Sequence, residues 1–319
     1  MKVLITGGNG FLGREVAKTL RAQAGMHVLV TARTPRETSD IMLDVTSDIA
    51  TVACLLKGVE CVAHCVAGNE DTTIRGTHNL LEACKLAHVK RIVLISSIAV
   101  YGSATGVVNE KSPRLQGGRR NYATWKAKVE EISQTYADIE IVILRPTIIY
   151  GPDSPLWVSG IKRRIQTGYW GTFGAAGEGS CNLVHVTDVA EAVKAALIAP
   201  DVSGQVFNIN GPSVISWNAW FQTIADVMQY GMLPNIPEMT LWVRTVLSLP
   251  FKLVRKVSGI TLFKWVDAAP ALSELTLFRL KAFYPTDRAK IMLNWSARIS
   301  LQEGLATLSH SSLKVSDSD

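Results

Sequence analysis

The chain has 319 residues, 47% of them apolar and 19% charged. That balance supports a sizeable core and excludes a disordered chain, a coiled coil and a highly charged tail protein. Lys and Arg exceed Asp and Glu by 33 to 27, and the excess is local: residues 238–298 carry ten Lys/Arg against four Asp/Glu, which leaves the rest neutral.

The opening residues, Met1 to Gly7, run straight into an apolar stretch too short for a signal-peptide core. Strands are expected at 2–6, 27–31, 60–66, 90–96 and 139–145, with a weaker one near 41–43. These are continuous apolar runs such as Arg91-Ile92-Val93-Leu94-Ile95, the pattern of strands buried on both faces. Helical patterns lie between them at 11–23, 48–57, 72–88 and 121–137. The alternation predicts a doubly wound, mostly parallel α/β sheet of Rossmann type. Beyond Gly151 the pattern loosens, with helices expected near 155–167, 187–199 and 216–229 and a strand at 205–210. Prolines 234, 237, 250 and 270 among Leu, Trp and Phe suggest that 230–285 forms broken helices.

The expected division is a dinucleotide-binding domain over 1–150 with returning elements at about 182–212. A smaller C-terminal substrate-binding cap would take 151–181 and 213–308, and 309–319 would be a frayed tail. Five cysteines in no zinc-like or C-x-x-C spacing read as reduced thiols in a cytoplasmic protein without a metal site.

The loop Thr6-Gly7-Gly8-Asn9-Gly10-Phe11-Leu12-Gly13 joins the first strand to the first helix. Gly7 suits the tight turn, Gly10 a close backbone approach to a pyrophosphate, and Gly13 close helix–strand packing. The helix start then faces the phosphates with its unpaired N–H groups. Asn9, Phe11 and Leu12 belong to the same cradle. After the second strand the chain reads Thr31-Ala32-Arg33-Thr34-Pro35-Arg36, with no Asp or Glu for the ribose 2′-hydroxyl of NAD. Thr31 and Arg33 are therefore candidates for the ribose or the 2′-phosphate, which favours NADP over NAD. Asp44-Val45 stand where the adenine would lie, although Asp44 equally suits a cap.

Tyr122 and Lys126 are four residues apart on an expected helix and so share a face. Alone the pair is weak, because chance spacing competes. It gains weight from Ser96-Ser97 at the C-terminal end of a central strand, where open α/β sheets bind ligands. Carbonyl reduction sends hydride to carbon and a proton to oxygen. A tyrosine with a pKa of about 10 is expected to be pulled down by a neighbouring ammonium. Tyr122 would then serve as general acid or base, Lys126 would also bond the nicotinamide ribose, and Ser97 would orient the substrate oxygen.

In order along the chain, these residues are joined by Val62-Ala63-His64-Cys65-Val66-Ala67, Gly76-Thr77-His78-Asn79-Leu80, Ser96-Ser97-Ile98-Ala99-Val100-Tyr101-Gly102, Arg145-Pro146-Thr147-Ile148 and Val184-His185-Val186-Thr187-Asp188. The set resembles the extended short-chain dehydrogenase/reductase superfamily of the NAD-dependent epimerase/dehydratase type. The resemblance implies that Ser97 is the catalytic serine, that Val66 and Ala67 belong to the coenzyme site, and that Pro146 to Ile148 border the nicotinamide. It also implies a homodimer through helices 72–88 and 121–137. His64 and His185 fall at family positions, but their apolar surroundings read as structural.

Thr-Ala-Arg-Thr-Pro resembles the NADPH-using dihydroflavonol-reductase-like members, and Phe283 to Lys290 the 3β-hydroxysteroid-dehydrogenase-like ones. The leading expectation is an NADP(H)-dependent carbonyl reductase or alcohol dehydrogenase acting on a small to medium, fairly apolar molecule. A nucleotide-sugar epimerase or reductase is the alternative, with Lys162, Arg163 and Arg164 meeting a diphosphate. Ile98 after Ser97, where dehydratases carry an acid, argues against dehydration. A non-catalytic, cofactor-sensing protein is the third reading. The partner expected is a small-molecule substrate, with no nucleic acid. Segment 241–265, apolar but interrupted by basic residues, reads as part of the cap, or alternatively as a helix lying on a membrane surface.

Overall fold

The structure is a computed structural model that describes residues 1–38, 40–118, 120–258 and 263–312, without the side chains of 255–258 and 309–312. A seven-stranded sheet runs through it. The strand Lys2–Thr6 pairs on one side with His27–Ala32, which is followed by Ile41–Met42. On its other side lie Cys61–His64, Arg91–Ile95, Glu140–Pro146 and Val206–Ile209 in turn. Every pairing is parallel. Parallel neighbours require crossovers, and these are the helices that cover the two faces.

Side-chain alternation along the strands sends successive residues to opposite cores. Val3 and Ile5 pack with Val16 and Leu20 of the helix Phe11–Arg21 and with Val189 and Val193 of Val186–Ile198. Leu4, with Ile92 and Leu94, faces Leu80 and Leu81 of Glu70–Leu86. Each fully buried aliphatic side chain in these layers contributes on the order of 1.5–3 kcal/mol. Arg91 ties one end of the sheet to a helix: its guanidinium donates to the carbonyls of Ala196, Leu197 and Ala199, the last turn of Val186–Ile198. Those carbonyls have no intrahelical partner, and a cation suits the negative end of the helix.

The chain leaves this sheet at Pro146 and enters a second one at Ile148. There Ile148–Tyr150 pairs in parallel with Ser180–His185, which pairs antiparallel with Val214–Ser216. Beneath this small sheet Trp170, Phe173, Trp217, Phe221 and Phe278 form an aromatic core, with ring centroids 4.8–6.4 Å apart.

Three helices follow from Glu238: Glu238–Ser258, Lys264–Ala268 and Leu272–Arg279. The break expected at Pro250 is absent, because the first helix runs through it for 21 residues. The lost N–H lies on an exposed flank, where water can serve the freed carbonyl and the usual cost of an interior proline is reduced. The stretch 309–319 divides: the helix Leu301–Ser312 takes in its first four residues, and 313–319 lie outside the described residues.

Candidate active site

A cleft of about 1570 Å³ opens along the C-terminal edge of the central sheet. Gly7, at φ +71°, turns the chain out of the first strand, and the backbone of Cys65 and Val66 leaves no room for a side chain: a Cβ there would lie 3.0 Å from the Val66 nitrogen. Gly13 does not line the cleft. It lets the helix sit against the loop, since a Cβ would come within 2.2 Å of the Gly7 carbonyl oxygen. Gly10 caps the helix without a side-chain bond, and the first turn holds no acid. The leading N–H groups of Phe11–Arg21 are thus left for an anion, the arrangement a pyrophosphate requires. Asn9 Nδ2 donates to the Thr34 carbonyl at 2.7 Å and so fixes the following loop against the cradle.

Arg33, Thr34 and Arg36 form the rim beyond Asn9, and Val45, Val66 and Ala67 line the wall beside them. Thr31 does not face the cleft. It is buried, and its hydroxyl donates to the Ile5 carbonyl at 2.9 Å. Asp44 also lies off the lining. Its Oδ1 accepts from the Thr46 N–H at 2.9 Å and the Thr46 hydroxyl at 2.7 Å, and those bonds hold its carboxyl below the usual range. The two side chains are committed to strand and turn, leaving Arg33, Thr34 and Arg36 as the polar groups presented here.

Midway along, the strand Arg91–Ile95 delivers Ser96 and Ser97, and the helix Tyr122–Ser133 delivers Tyr122 and Lys126. That helix starts firmly, because Asn121 and Thr124 cap one another: Thr124 N–H donates to Asn121 Oδ1 at 3.1 Å and Asn121 N–H to Thr124 Oγ1 at 3.0 Å. One turn on, buried Lys126 donates through Nζ to the Ile95 carbonyl at 2.7 Å. Burial pushes this ammonium down to about 8, against the opposing pull of Glu130. Ser97 Oγ accepts from the Ala99 N–H at 3.1 Å, which leaves its proton to donate to the Tyr122 phenol.

Tyr122 remains 43% exposed, with its ring on the cleft lining. The enclosing walls push its pKa up, and only the Ser97 bond opposes them. The sequence had led us to expect the opposite, a phenol lowered by Lys126. Here Lys126 is occupied by the Ile95 carbonyl, and loss of solvation dominates at the phenol. Pro146 and Ile148 complete this part of the lining.

Ser96 points the other way, into a buried network that the sequence reading left without a role. Its hydroxyl donates to Glu130 Oε1 at 2.5 Å. Arg145 grips the same carboxylate through Nε at 2.9 Å and Nη2 at 2.6 Å, and Arg114 adds a bond at 2.9 Å. Arg145 Nη1 donates to the Tyr101 hydroxyl, which donates to Asn208 Oδ1, both at 2.7 Å. Burial alone would raise Glu130, but Arg145, Ser96 and Arg114 together hold it low. The one signal available beforehand was Glu130 standing four residues after Lys126, on the same helical face.

His64 is structural. Thr77 donates its proton to the Thr73 carbonyl at 2.6 Å and therefore accepts from His64 Nε2–H at 3.0 Å; Nδ1 accepts from Thr6 at 2.7 Å. Burial, with the Lys126 charge nearby, pushes this imidazole down to about 3, so it stays neutral. His185 accepts from the Thr187 N–H at 3.3 Å as a helix cap.

The far end of the cleft joins apolar side chains, Leu156, Trp157, Ile161, Leu277 and Phe278, to the charged Asp267 and Glu274. Arg163 is on the lining and exposed, and Lys162 is not on it. Arg164 also reaches it but is held bidentately by Glu274 at 2.7 and 3.0 Å and stacks on Trp170 at 4.8 Å.

Residues 3–210 match the model of the NAD dependent epimerase/dehydratase family. The chain belongs to that family and is an NAD(P)-dependent enzyme of the extended short-chain dehydrogenase/reductase type. It is 26% identical over 229 residues to a UDP-glucose 4-epimerase of Vibrio cholerae, covering 65% of this chain and 70% of that one. It is also 26% identical, over 339 aligned positions, to a 2-alkyl-3-oxoalkanoate reductase of Shewanella oneidensis, covering 95% of this chain and 84% of that one. Among solved structures, the UDP-glucose 4-epimerase of Thermotoga maritima with UDP-glucose superposes with a TM-score of 0.76 at 20% identity over 99% of both chains. That likeness is one of fold.

Proposed function

We propose that this enzyme is an NADP(H)-dependent reductase of a carbonyl on an apolar, alkyl-bearing substrate. The observation that carries the reading is the charge at the two ends of the cleft. Arg33 and Arg36 stand on the lining at the adenosine end, and the only acids on the lining among the described residues, Asp267 and Glu274, belong to the far end. A 2′-phosphate is favoured by such a rim, and the acid that would select the 2′-hydroxyl of NAD is missing.

A bound nicotinamide supplies the hydride to the carbonyl carbon. Tyr122, whose raised pKa keeps it protonated at neutral pH, gives its proton to the oxygen. Ser97 hydrogen-bonds that oxygen and orients it. Lys126 would hold the coenzyme ribose, and its charge would steady the phenolate left behind. The apolar side chains of the far wall, Leu156, Trp157, Ile161, Leu277 and Phe278, suit an alkyl chain, and the relative matched over 95% of this chain is named for reduction of a 2-alkyl-3-oxoalkanoate.

Nucleotide-sugar epimerisation is the second reading, favoured by the names of several relatives and by Arg163 on the lining. Against a diphosphate site, Arg164 is already paired and Lys162 lies off the lining. The two readings part in one assay series. NADPH oxidation with a 2-alkyl-3-oxoalkanoate is expected to far exceed any conversion of UDP-glucose, and Arg33→Ala is expected to weaken NADPH while sparing NADH. Efficient UDP-glucose epimerisation with no ketone reduction would overturn the proposal, and equal losses for both coenzymes would remove Arg33 as the phosphate reader.

A further inference from the structure

The helix Glu238–Ser258 is amphipathic with its faces reversed. The stripe turned toward the protein is Leu241, Thr245, Ser248 and Lys252, and Thr245 and Ser248 are fully buried. Lys252 donates inward to the carbonyls of Ala269 and Pro270. The two stripes turned to solvent are Trp242, Leu249 and Leu253, with half-buried Val246 between them, and Val243, Leu247, Pro250 and Val254. Trp242, Leu247 and Leu253 are 55%, 56% and 65% exposed. Phe251 links the helix to Trp265 and to Phe263, at centroid distances of 5.9 and 5.4 Å, and Phe263 is itself about half exposed. Two adjacent rows of exposed large apolar side chains make a continuous patch, and such patches on a folded protein mark a binding surface.

We propose that this face docks on an anionic lipid surface. Charge complementarity selects the occupant. Apart from the inward-turned Lys252, the helix carries Arg244, Arg255 and Lys256 against the single acid Glu238, and exposed Lys264 follows it. Residues 238–298 hold the whole net charge of the chain. A second copy seated face to face would set like charges against like, which a two-fold interface must avoid. Anionic headgroups neutralise them, while the apolar rows enter the headgroup–acyl boundary with Trp242 at the depth where tryptophan is favoured. No helix among the described residues is long and apolar enough to cross a membrane, so the segment lies on the surface. The inference stands apart from the reductase reading, although Lys264–Ala268, which packs against this helix, contributes Asp267 to the cleft lining.

The test is flotation of the full-length protein with vesicles. Binding is expected to phosphatidylcholine vesicles containing phosphatidylglycerol, and to fall steeply with pure phosphatidylcholine or added salt. Trp242→Ser, Leu247→Ser and Leu253→Ser together are expected to cut binding at least about tenfold, with thermal midpoint and NADPH affinity unchanged. Should that variant fail to fold, Lys264→Glu is expected to weaken binding in the same assay. A wild type that stays unbound, or variants that bind as well as wild type, would overturn the proposal. So would a wild-type dimer that becomes monomeric in the triple variant without any vesicle binding, since that would give the face to a second copy.

Discussion

At Tyr122 the balance of burial and hydrogen bonding sets the direction in which the site is poised. With its pKa pushed up, the phenol is a reservoir of one proton at neutral pH and suits reduction. Tyr122→Phe is expected to lower turnover by two or more orders of magnitude, as loss of a general acid does, with coenzyme affinity retained; near-normal turnover would remove the phenol from the chemistry. Lys126 gives a pH signature. Its folded value, pressed down to about 8 by burial, means that its charge is present below that pH and lost above it. kcat/KM, which reports the free enzyme, is therefore expected to fall as pH rises through about 8, and Lys126→Arg should abolish that limb while slowing the reaction, because a guanidinium keeps its proton there. A flat profile through this range would show that the charge is not needed. Local spacing made these residues legible, since four positions on one helix settle a shared face. It could not show that Thr31 faces the Ile5 carbonyl or that Asp44 serves Thr46, since strand alternation and turn closure decide both.

A buried ion pair between Arg145 and Glu130 joins the helix Tyr122–Ser133 to the strand Glu140–Pro146. Glu130 meets Arg145, Ser96 and the half-buried Arg114 there, partners that stand 15 to 34 positions from it in sequence. No window of local pattern contains this set, which is why only the fold shows it. Glu130→Gln leaves Arg145 buried without its counter-charge, and the expected cost is ~3–5 kcal/mol, read from urea unfolding. Because the carboxyl is held below its ordinary value, the pair's contribution is complete above the unfolded pKa of about 4.3. It is lost as pH falls through the lower folded value. The wild type should therefore lose more stability on acidification than the variant; equal losses would show that the pair is energetically idle. The helix Glu238–Ser258 gives the opposite lesson. Its apolar rows were plain in the sequence, but the side they would face was not, because Thr245 and Ser248 occupy the inward stripe that periodicity alone assigns to apolar residues.

Across the whole molecule, the parallel sheet was readable because its strands are unbroken apolar runs separated by helical patterns. The second sheet was not. Ile148–Tyr150 and Val214–Ser216 have three residues each, too few for a periodic signal, and they pair across long separations. That sheet begins where Thr147 leaves the first, its N–H donating to the Ile209 carbonyl and its hydroxyl to Asn210. The walls at the glycine-loop end come from residues up to 72, and the far walls from residues beyond 150, with Pro146 to Ile148 as the seam. Such a build separates two kinds of inheritance. A lineage can replace the distal half of the trough, and so turn to new chemistry, while the grip on the electron donor passes down unaltered.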